Sequence, residues 1–298
     1  MKKIRVAIVG LGNIGSYAIK AIRQSKDMEL GGIVRRKVAS GNSYEEICLV
    51  ENIESLNNIN VAILTTPSVD VIGIAEKYLK MGINTVDSFD IHNNIWDNKQ
   101  RLDSIAKASG AVAVTSTGFD PGIDSIIRAL FLAAAPVGIT YTNYGPGISM
   151  GHTVAVKKIS GVRNALSVTI PADGTGMHNR VVYLDIDDDV DFEAVSAKVK
   201  ADPYFVNDNT AIIHAPDIEG LTDHGHGVRL VRKGVSSGAH NQRFEFNMSI
   251  NNPAMTAQFM VAAARASVRL TAGCYTPIDI PPSYFLTGEN EKLIRELV

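Results

Sequence analysis

Two patterns of apolar and polar residues succeed one another along this chain, and the change falls near residue 120. Before it, short runs that are apolar at nearly every position alternate with longer amphipathic stretches. The runs are Ile4–Val9, 29–34, Val61–Leu64, 84–90 with its exit, and 111–116. Between them, residues 16–24, 71–81 and 100–109 have helical spacing, and Gly82 and Gly110 close the last two. A strand buried on both faces reads as a continuous apolar run, and strands alternating with helices predict an α/β, doubly wound parallel sheet. A polar stretch at 39–60 interrupts this order, with a short strand or helical turn around Ile47–Val50.

After residue 120, short strand candidates follow with few helices between them: 139–144, 166–170, 180–186, 211–214, 228–232 and 243–250. The last alternates strictly, with Phe244, Phe246, Met248 and Ile250 on one face. Such an order predicts one mixed or antiparallel sheet. An alanine-rich stretch at 254–270 then reads as a helix. The expected division is a first domain of 1–119 plus 253–298, with the C-terminal segment returning, and a second α+β domain of 120–252 for substrate binding and dimerisation. Neither an internal repeat nor a low-complexity segment is present.

The first apolar run meets Gly10-Leu-Gly12-Asn13-Ile14-Gly15, a G-x-G-x-x-G spacing between a strand and a helix. That is the dinucleotide-binding turn of a Rossmann-type βαβ unit. Its first glycine allows the sharp turn, the second lets a pyrophosphate approach the backbone, and the third lets helix and strand pack. The diphosphate sits at the helix N-terminus, where N–H groups and the helix dipole favour an anion. The loop Thr65-Thr66-Pro67-Ser68 leaves another strand at its carboxyl end, the edge where such sheets bind ligands. About 20 residues past the glycines, where NAD enzymes carry Asp or Glu, this chain reads Val34-Arg35-Arg36-Lys37. Two guanidiniums and no carboxylate favour NADP, with its 2′-phosphate on Arg35 and Arg36.

Composition narrows the class. With 45% hydrophobic residues the chain can bury a full core, and a net charge of −2 without a basic block argues against a nucleic-acid surface. Cys48 and Cys274 have no metal or disulfide spacing, so no metal is expected. The start, Met-Lys-Lys-Ile-Arg, enters a strand directly, and no apolar run reaches membrane-spanning length. A cytoplasmic protein with no membrane or nucleic-acid partner is expected.

Asp90 and Asp120 each follow a strand of the first domain and so lie at the ligand edge. Asp120 precedes Pro121, which also fits a helix N-cap with proline at the first helical position, and Asp124 fits the dipole of the same helix. Residues 144–152, Tyr-Gly-Pro-Gly-Ile-Ser-Met-Gly-His, form a glycine-rich loop able to offer N–H groups to a carboxylate, or an ordinary turn. Thr169 and Arg180 lie on or beside strands. His224 and His226 are two apart, without a third metal ligand at useful spacing. Asn252-Pro253 fits another N-cap.

Taken together, these motifs resemble the meso-diaminopimelate dehydrogenases over nearly the whole chain. The carriers are the glycine turn, 34–37, 85–92 (Thr-Val-Asp-Ser-Phe-Asp-Ile-His), 116–122 (Ser-Thr-Gly-Phe-Asp-Pro-Gly), 144–152, 167–171, 224–227 and 250–254. The short connection at 172–180 is similar to that of compact members, some of which accept a wider range of D-amino acids. Phe119 stands where members often have Trp. The resemblance implies reversible, NADP-dependent oxidative deamination at the D-carbon of meso-2,6-diaminopimelate, giving L-2-amino-6-oxopimelate, ammonia and NADPH, in a homodimer. It also implies site roles. Asp90 and Asp120 hold the reacting amine, and Met150 and Gly151 give N–H groups to its carboxylate. Thr169, Arg180 and His226 take the distal carboxylate, Asn252 helps with the distal amine, and Phe119 and Tyr144 wall the site. Two other readings stay open: a different NADP-dependent D-amino-acid or diamino-acid dehydrogenase, and a non-catalytic NADP-binding regulator.

Overall fold

A computed structural model describes residues 3–36, 43–171, 178–218, 221 and 225–298. Chain contacts divide it into two compact units, Met1–Ala129 with Pro253–Val298, and Leu130–Asn252. The change-over falls later than the 119/120 expected from the sequence, inside the helix at Ile123–Ala134.

The first unit runs β1 (Ile4–Val9), α1 (Asn13–Gln24), β2 (Met28–Val34), β3 (Ser43–Tyr44), β4 (Ile47–Val50), β5 (Val61–Leu64), α2 (Ser68–Lys80), β6 (Asn84–Asp87), α3 (Ile95–Ser109), β7 (Val112–Val114) and the start of α4 (Ile123–Ala134). Its sheet has the order β7-β6-β5-β1-β2-β4, all parallel, with β3 added antiparallel to β4. Alternation along β1 explains its apolar run. Val6 and Ile8 enter one core layer with Ala18, Ile19 and Ile22 of α1, while Ala7 and Val9 enter the other with Val71 and Ala75 of α2 and Leu102 of α3. Each strand therefore needs apolar residues on both faces.

The second unit holds β8 (Val137–Tyr144), β9 (Gly147–Ile148), α5 (Met150–Lys157), β10 (Val162–Pro171), β11 (His178–Ile186), α6 (Phe192–Ala201), β12 (Asn209–His214), β13 (His226–Ser236) and β14 (Ala239–Ile250). Instead of the single sheet expected, the strands form two. One is mixed, β12-β11-β10-β9, with β11 and β12 parallel; the other is antiparallel, β14-β13-β8. Helix α6, not expected from the sequence, joins β11 to β12 in the mixed sheet. Asp191 caps it by accepting a hydrogen bond from the Glu193 N–H at 3.1 Å, and Val195 and Val199 pack on Val182 and Leu184. A crossover helix of this kind lets β12 lie parallel to β11. On β14 the alternation is as read: Phe244, Phe246, Met248 and Ile250 are half-buried and their neighbours Arg243, Glu245, Asn247 and Ser249 exposed.

The chain then returns to the first unit through α7 (Asn252–Ser267), β15 (Gly273–Tyr275) and α8 (Asn290–Leu297). Met260, Val261 and Ala264 of α7 join the core layer of α1. Strand β15 pairs in parallel with β7 and makes the seventh parallel strand of the sheet. No helix among the described residues is long and apolar enough to cross a membrane.

Candidate active site

The strand ends of the first unit converge on the glycine turn. Thr65, leaving β5, donates its hydroxyl to the carbonyls of Val9 and Gly10 at 3.1 and 3.0 Å, so it anchors the turn rather than offering itself to a ligand. A Cβ on Gly15 would stand 2.6 Å from the Gly10 carbonyl oxygen, which is why the first turn of α1 carries glycine at this position. A Cβ on Gly12 would meet nothing within 4 Å. Asn13 and Ile14 occupy the first turn of α1. Thr66 has a buried hydroxyl without a partner among the described residues, while Pro67 precedes α2 and Ser68 opens it. Open space over Gly12, N–H groups at the α1 N-terminus and the orphaned Thr66 hydroxyl fit a dinucleotide. Arg35 and Arg36 follow β2 and are exposed; Arg36 donates from Nη2 to Asp70 Oδ2 at 2.7 Å. Lys37 lies outside the described residues.

Asp87 and Asp90 stand at the exit of β6, and Asp120 and Asp124 follow β7. Asp90 is exposed and accepts a hydrogen bond from the Ser68 hydroxyl at 2.6 Å, so Ser68 orients a carboxylate. Asp87, which ends β6, is fully buried; Oδ1 accepts from the Phe89 and Ser116 N–H groups and from Thr115 Oγ1. Burial pushes its proton affinity up despite those bonds. It pins the exits of two strands, and with them the positions of Asp90 and Asp120.

Asp120 corrects the N-cap reading. Residues 118–122 form their own turn, in which the Gly118 N–H donates to the Pro121 carbonyl at 3.0 Å, and α4 begins only at Ile123. Pro121 is thus not at the first helical position. The Asp120 carboxylate instead meets Arg128 Nη1 at 3.3 Å, and the same nitrogen lies 2.8 Å from Asp124 Oδ2. Asp124 is 0% exposed. Burial, followed by the charge of Asp120, pushes its carboxyl up to about 7, and Arg128 only partly offsets this. From the sequence Asp124 reads as a partner of the helix dipole, and its titration is set by the burial that only the fold shows. The i,i+4 spacing of Asp124 and Arg128 was the available signal.

A pH dependence of stability follows. In the unfolded chain Asp124 ionises near its ordinary value of 3.8, whereas in the folded chain it keeps its proton to about 7. The stabilisation is complete below the lower value and is lost as pH rises through the folded one. Between about pH 5 and pH 8 this group should remove on the order of 2–3 kcal/mol. Urea unfolding of wild type and Asp124→Asn at both pH values checks it, because the Asn variant should lack that part of the decline. Parallel declines in the two proteins would refute the assignment.

In the second unit, Thr169 and Arg180 are cross-strand partners on β10 and β11. Arg180 is 9% exposed and donates from Nη1 to Thr169 Oγ1 at 2.8 Å; its Nε donates to Asp208. Strand β9 pairs with β10 at Gly147 and Thr169. A Cβ on Gly147 would stand 2.6 Å from the His226 Cα, so glycine lets β9 pass close to His226. His226 Nδ1 lies 3.0 Å from the Ile148 carbonyl, to which it donates, and this fixes the ring beside β9. Thr169 and His226 thus both meet the short strand β9, and Arg180 is tied to it through Thr169. His224 lies outside the described residues. No group of three or more His, Cys, Asp or Glu able to hold a metal occurs among the described residues.

The glycine-rich loop holds a helix the sequence reading did not find. Tyr144 ends β8, and Met150 and Gly151 are the first residues of α5. Their backbone N–H groups belong to a helix first turn, which has no intrahelical acceptors. Ser149 donates to His152 Nδ1 at 2.7 Å, and His152 Nε2 donates to the Tyr204 carbonyl at 2.9 Å. Burial, then the nearby Arg180, hold the His152 ring below the usual histidine range. Phe119 is buried in the first unit, and Asn252 opens α7.

The chain is similar in sequence and fold to known proteins. A family model described as the diaminopimelic acid dehydrogenase C-terminal domain matches residues 118–176. The meso-diaminopimelate D-dehydrogenase of Bacteroides fragilis is 52% identical over 300 residues, covering 100% of both chains. The crystal structure of a six-substitution meso-diaminopimelate dehydrogenase mutant from Clostridium tetani, with diaminopimelate, superposes with a TM-score of 0.86 at 32% identity, covering 99% of this chain and 100% of that one. An engineered D-amino acid dehydrogenase bound to NADP+ gives a TM-score of 0.78 at 27% identity, covering 100% of both.

Proposed function

The chain belongs to the meso-diaminopimelate D-dehydrogenase family, and from this we infer that it carries out NADP-dependent, reversible oxidative deamination of meso-2,6-diaminopimelate at the D-carbon. The products are L-2-amino-6-oxopimelate, ammonia and NADPH. The observation that supports the choice of substrate is the buried Arg180 bonded to Thr169, a site for a second carboxylate that a simple D-amino acid lacks.

When bound, NADP accepts the hydride from the D-carbon. Gly10, Gly12 and Gly15, with Asn13, Ile14 and the 65–68 loop, would hold it. Arg35 and Arg36 would clamp the 2′-phosphate, Arg36 exchanging its exposed bond to Asp70 for the dianion; surface ion pairs are worth at most about 1 kcal/mol. Asp90 and Asp120 grip the reacting ammonium, and Asp120 takes a proton from it, because hydride leaves only from a neutral amine. The Met150 and Gly151 N–H groups hold the adjacent carboxylate. Thr169, Arg180 and His226 hold the distal carboxylate, and Asn252 the distal amine. Phe119 and Tyr144 exclude water from the reacting carbon. Gripping both ends selects one of two stereocentres, since a chain held at one end presents either.

Following NADPH absorbance with meso-diaminopimelate, the LL isomer as control and NAD as alternate cofactor tests this reading. Turnover with the meso isomer and NADP alone is expected. Equal turnover with NAD would remove the role given to Arg35 and Arg36, and no turnover with bound NADP would leave another D-amino acid as substrate. The setting proposed is a cytoplasmic homodimer, supported by the exposed Leu130, Leu132, Val137 and Ile139 of α4 and β8. A sedimentation mass of one chain would refute the dimer.

A further inference from the structure

We propose that Asp208 determines specificity at the distal end of the substrate: its carboxylate sits on Arg180 where the second carboxylate of a diacid must go, so the diacid binds by displacing it. This inference rests on the function proposed above.

Arg180 is nearly buried, and a buried guanidinium without a counter-ion is strongly unfavourable. Asp208 supplies that counter-ion from the turn between α6 and β12, through Nε of Arg180. The turn is held by the Asp208 N–H donating to the Phe205 carbonyl at 2.9 Å. His152 Nε2 is 3.9 Å from the same carboxylate oxygen, but that nitrogen donates to the Tyr204 carbonyl, and the ring stays neutral. Among the described residues, Asp208 and Arg180 are therefore matched one to one in charge. A carboxylate binds a guanidinium best along an edge that includes two N–H groups, and Asp208 already holds Nε.

Two consequences separate substrates. A D-amino acid without a distal carboxylate leaves the Arg180–Asp208 pair intact and loses nothing. A diacid takes over Arg180 and pushes Asp208 towards solvent, which its side chain, 20% exposed, already reaches. The exchange lowers the net gain from the second carboxylate and narrows the gap between diacids and simple D-amino acids. An internal acid standing in for a missing substrate group thereby broadens the range accepted.

The test compares wild type with Asp208→Asn, which keeps shape and hydrogen bonding but removes the competing charge. The KM for meso-diaminopimelate should fall by about 3–10-fold with kcat unchanged, consistent with about 1 kcal/mol of lost competition. The KM for D-alanine should not move. Calorimetric binding of pimelate, a diacid that cannot react, should tighten by a similar factor. A wild-type protein that does not turn over meso-diaminopimelate overturns the functional reading and this inference with it. Wild-type turnover combined with an unchanged or raised KM in the variant overturns this inference alone. If the variant does not fold, the Arg180 Nε–H proton resonance of wild type decides: meso-diaminopimelate should shift it and D-alanine should not, and no shift with the diacid overturns the proposal.

Discussion

Asp120→Asn should lower kcat with meso-diaminopimelate by about 10²–10⁴-fold, the usual contribution of a positioned proton acceptor, while Tm stays within about 2 °C of wild type. Asn has the same shape and can still meet Arg128 Nη1, now 3.3 Å from Oδ1. What it lacks is the charge that grips an ammonium and the basicity that takes its proton. The variant has a second signature. The charge of Asp120 is the next cause after burial of the raised Asp124 carboxyl, so its removal should bring Asp124 below about 7 and flatten the fall of stability with pH. Kinetics and urea unfolding at two pH values read both effects. Near-wild-type turnover would sink the catalytic assignment and leave a residue that only orients Arg128.

Gly122→Ala should damage both folding and turnover. The residue has φ of +150°, a conformation open to glycine and strained for any residue with a Cβ. An added Cβ would stand 1.9 Å from the Gly118 carbonyl oxygen, inside the turn that presents Asp120. The obstacle is backbone, so no rotamer relieves it. We expect a loss of about 3 kcal/mol or more, from backbone strain and overpacking together, with kcat at least about tenfold lower from misplaced geometry. Chemical unfolding and steady-state kinetics measure the two. A variant with wild-type stability would mean that the 118–122 turn can open without penalty. The contrast with Asp120→Asn matters, since one change removes chemistry from an intact turn and the other removes the turn.

The parallel sheet was legible because its strands are buried on both faces. Ile4–Val9 and Val61–Leu64 have the observed bounds for that reason. Strand β15 was not, since Gly-Cys-Tyr is too short for a periodicity and its role is set by the edge it meets. Helix α5 was hidden by composition: Gly151, Thr153, Val154 and Val156 are weak helix formers, and packing decides the matter. The glycine turn announced the cofactor and Asp90 followed from its place after a strand, while the roles of Thr169, Arg180 and His226 came from a resemblance carried by motifs. Asp208 carried no such mark. It lies in Val-Asn-Asp-Asn-Thr, which reads as a plain turn, and only the pairing of β11 with β12 brings it to Arg180.

Strand β15 also sets an order of events during synthesis. Its partner β7 emerges from the ribosome some 160 residues earlier, a separation that follows from their positions at 112–114 and 273–275. Until the last strand arrives, β7 presents an unpaired edge to the cell, open to the wrong partner. A message cut short after α7 would leave that edge exposed for good. The nascent chain needs protection over that interval, and a prematurely terminated product is expected to aggregate through β7 rather than persist as a shortened enzyme.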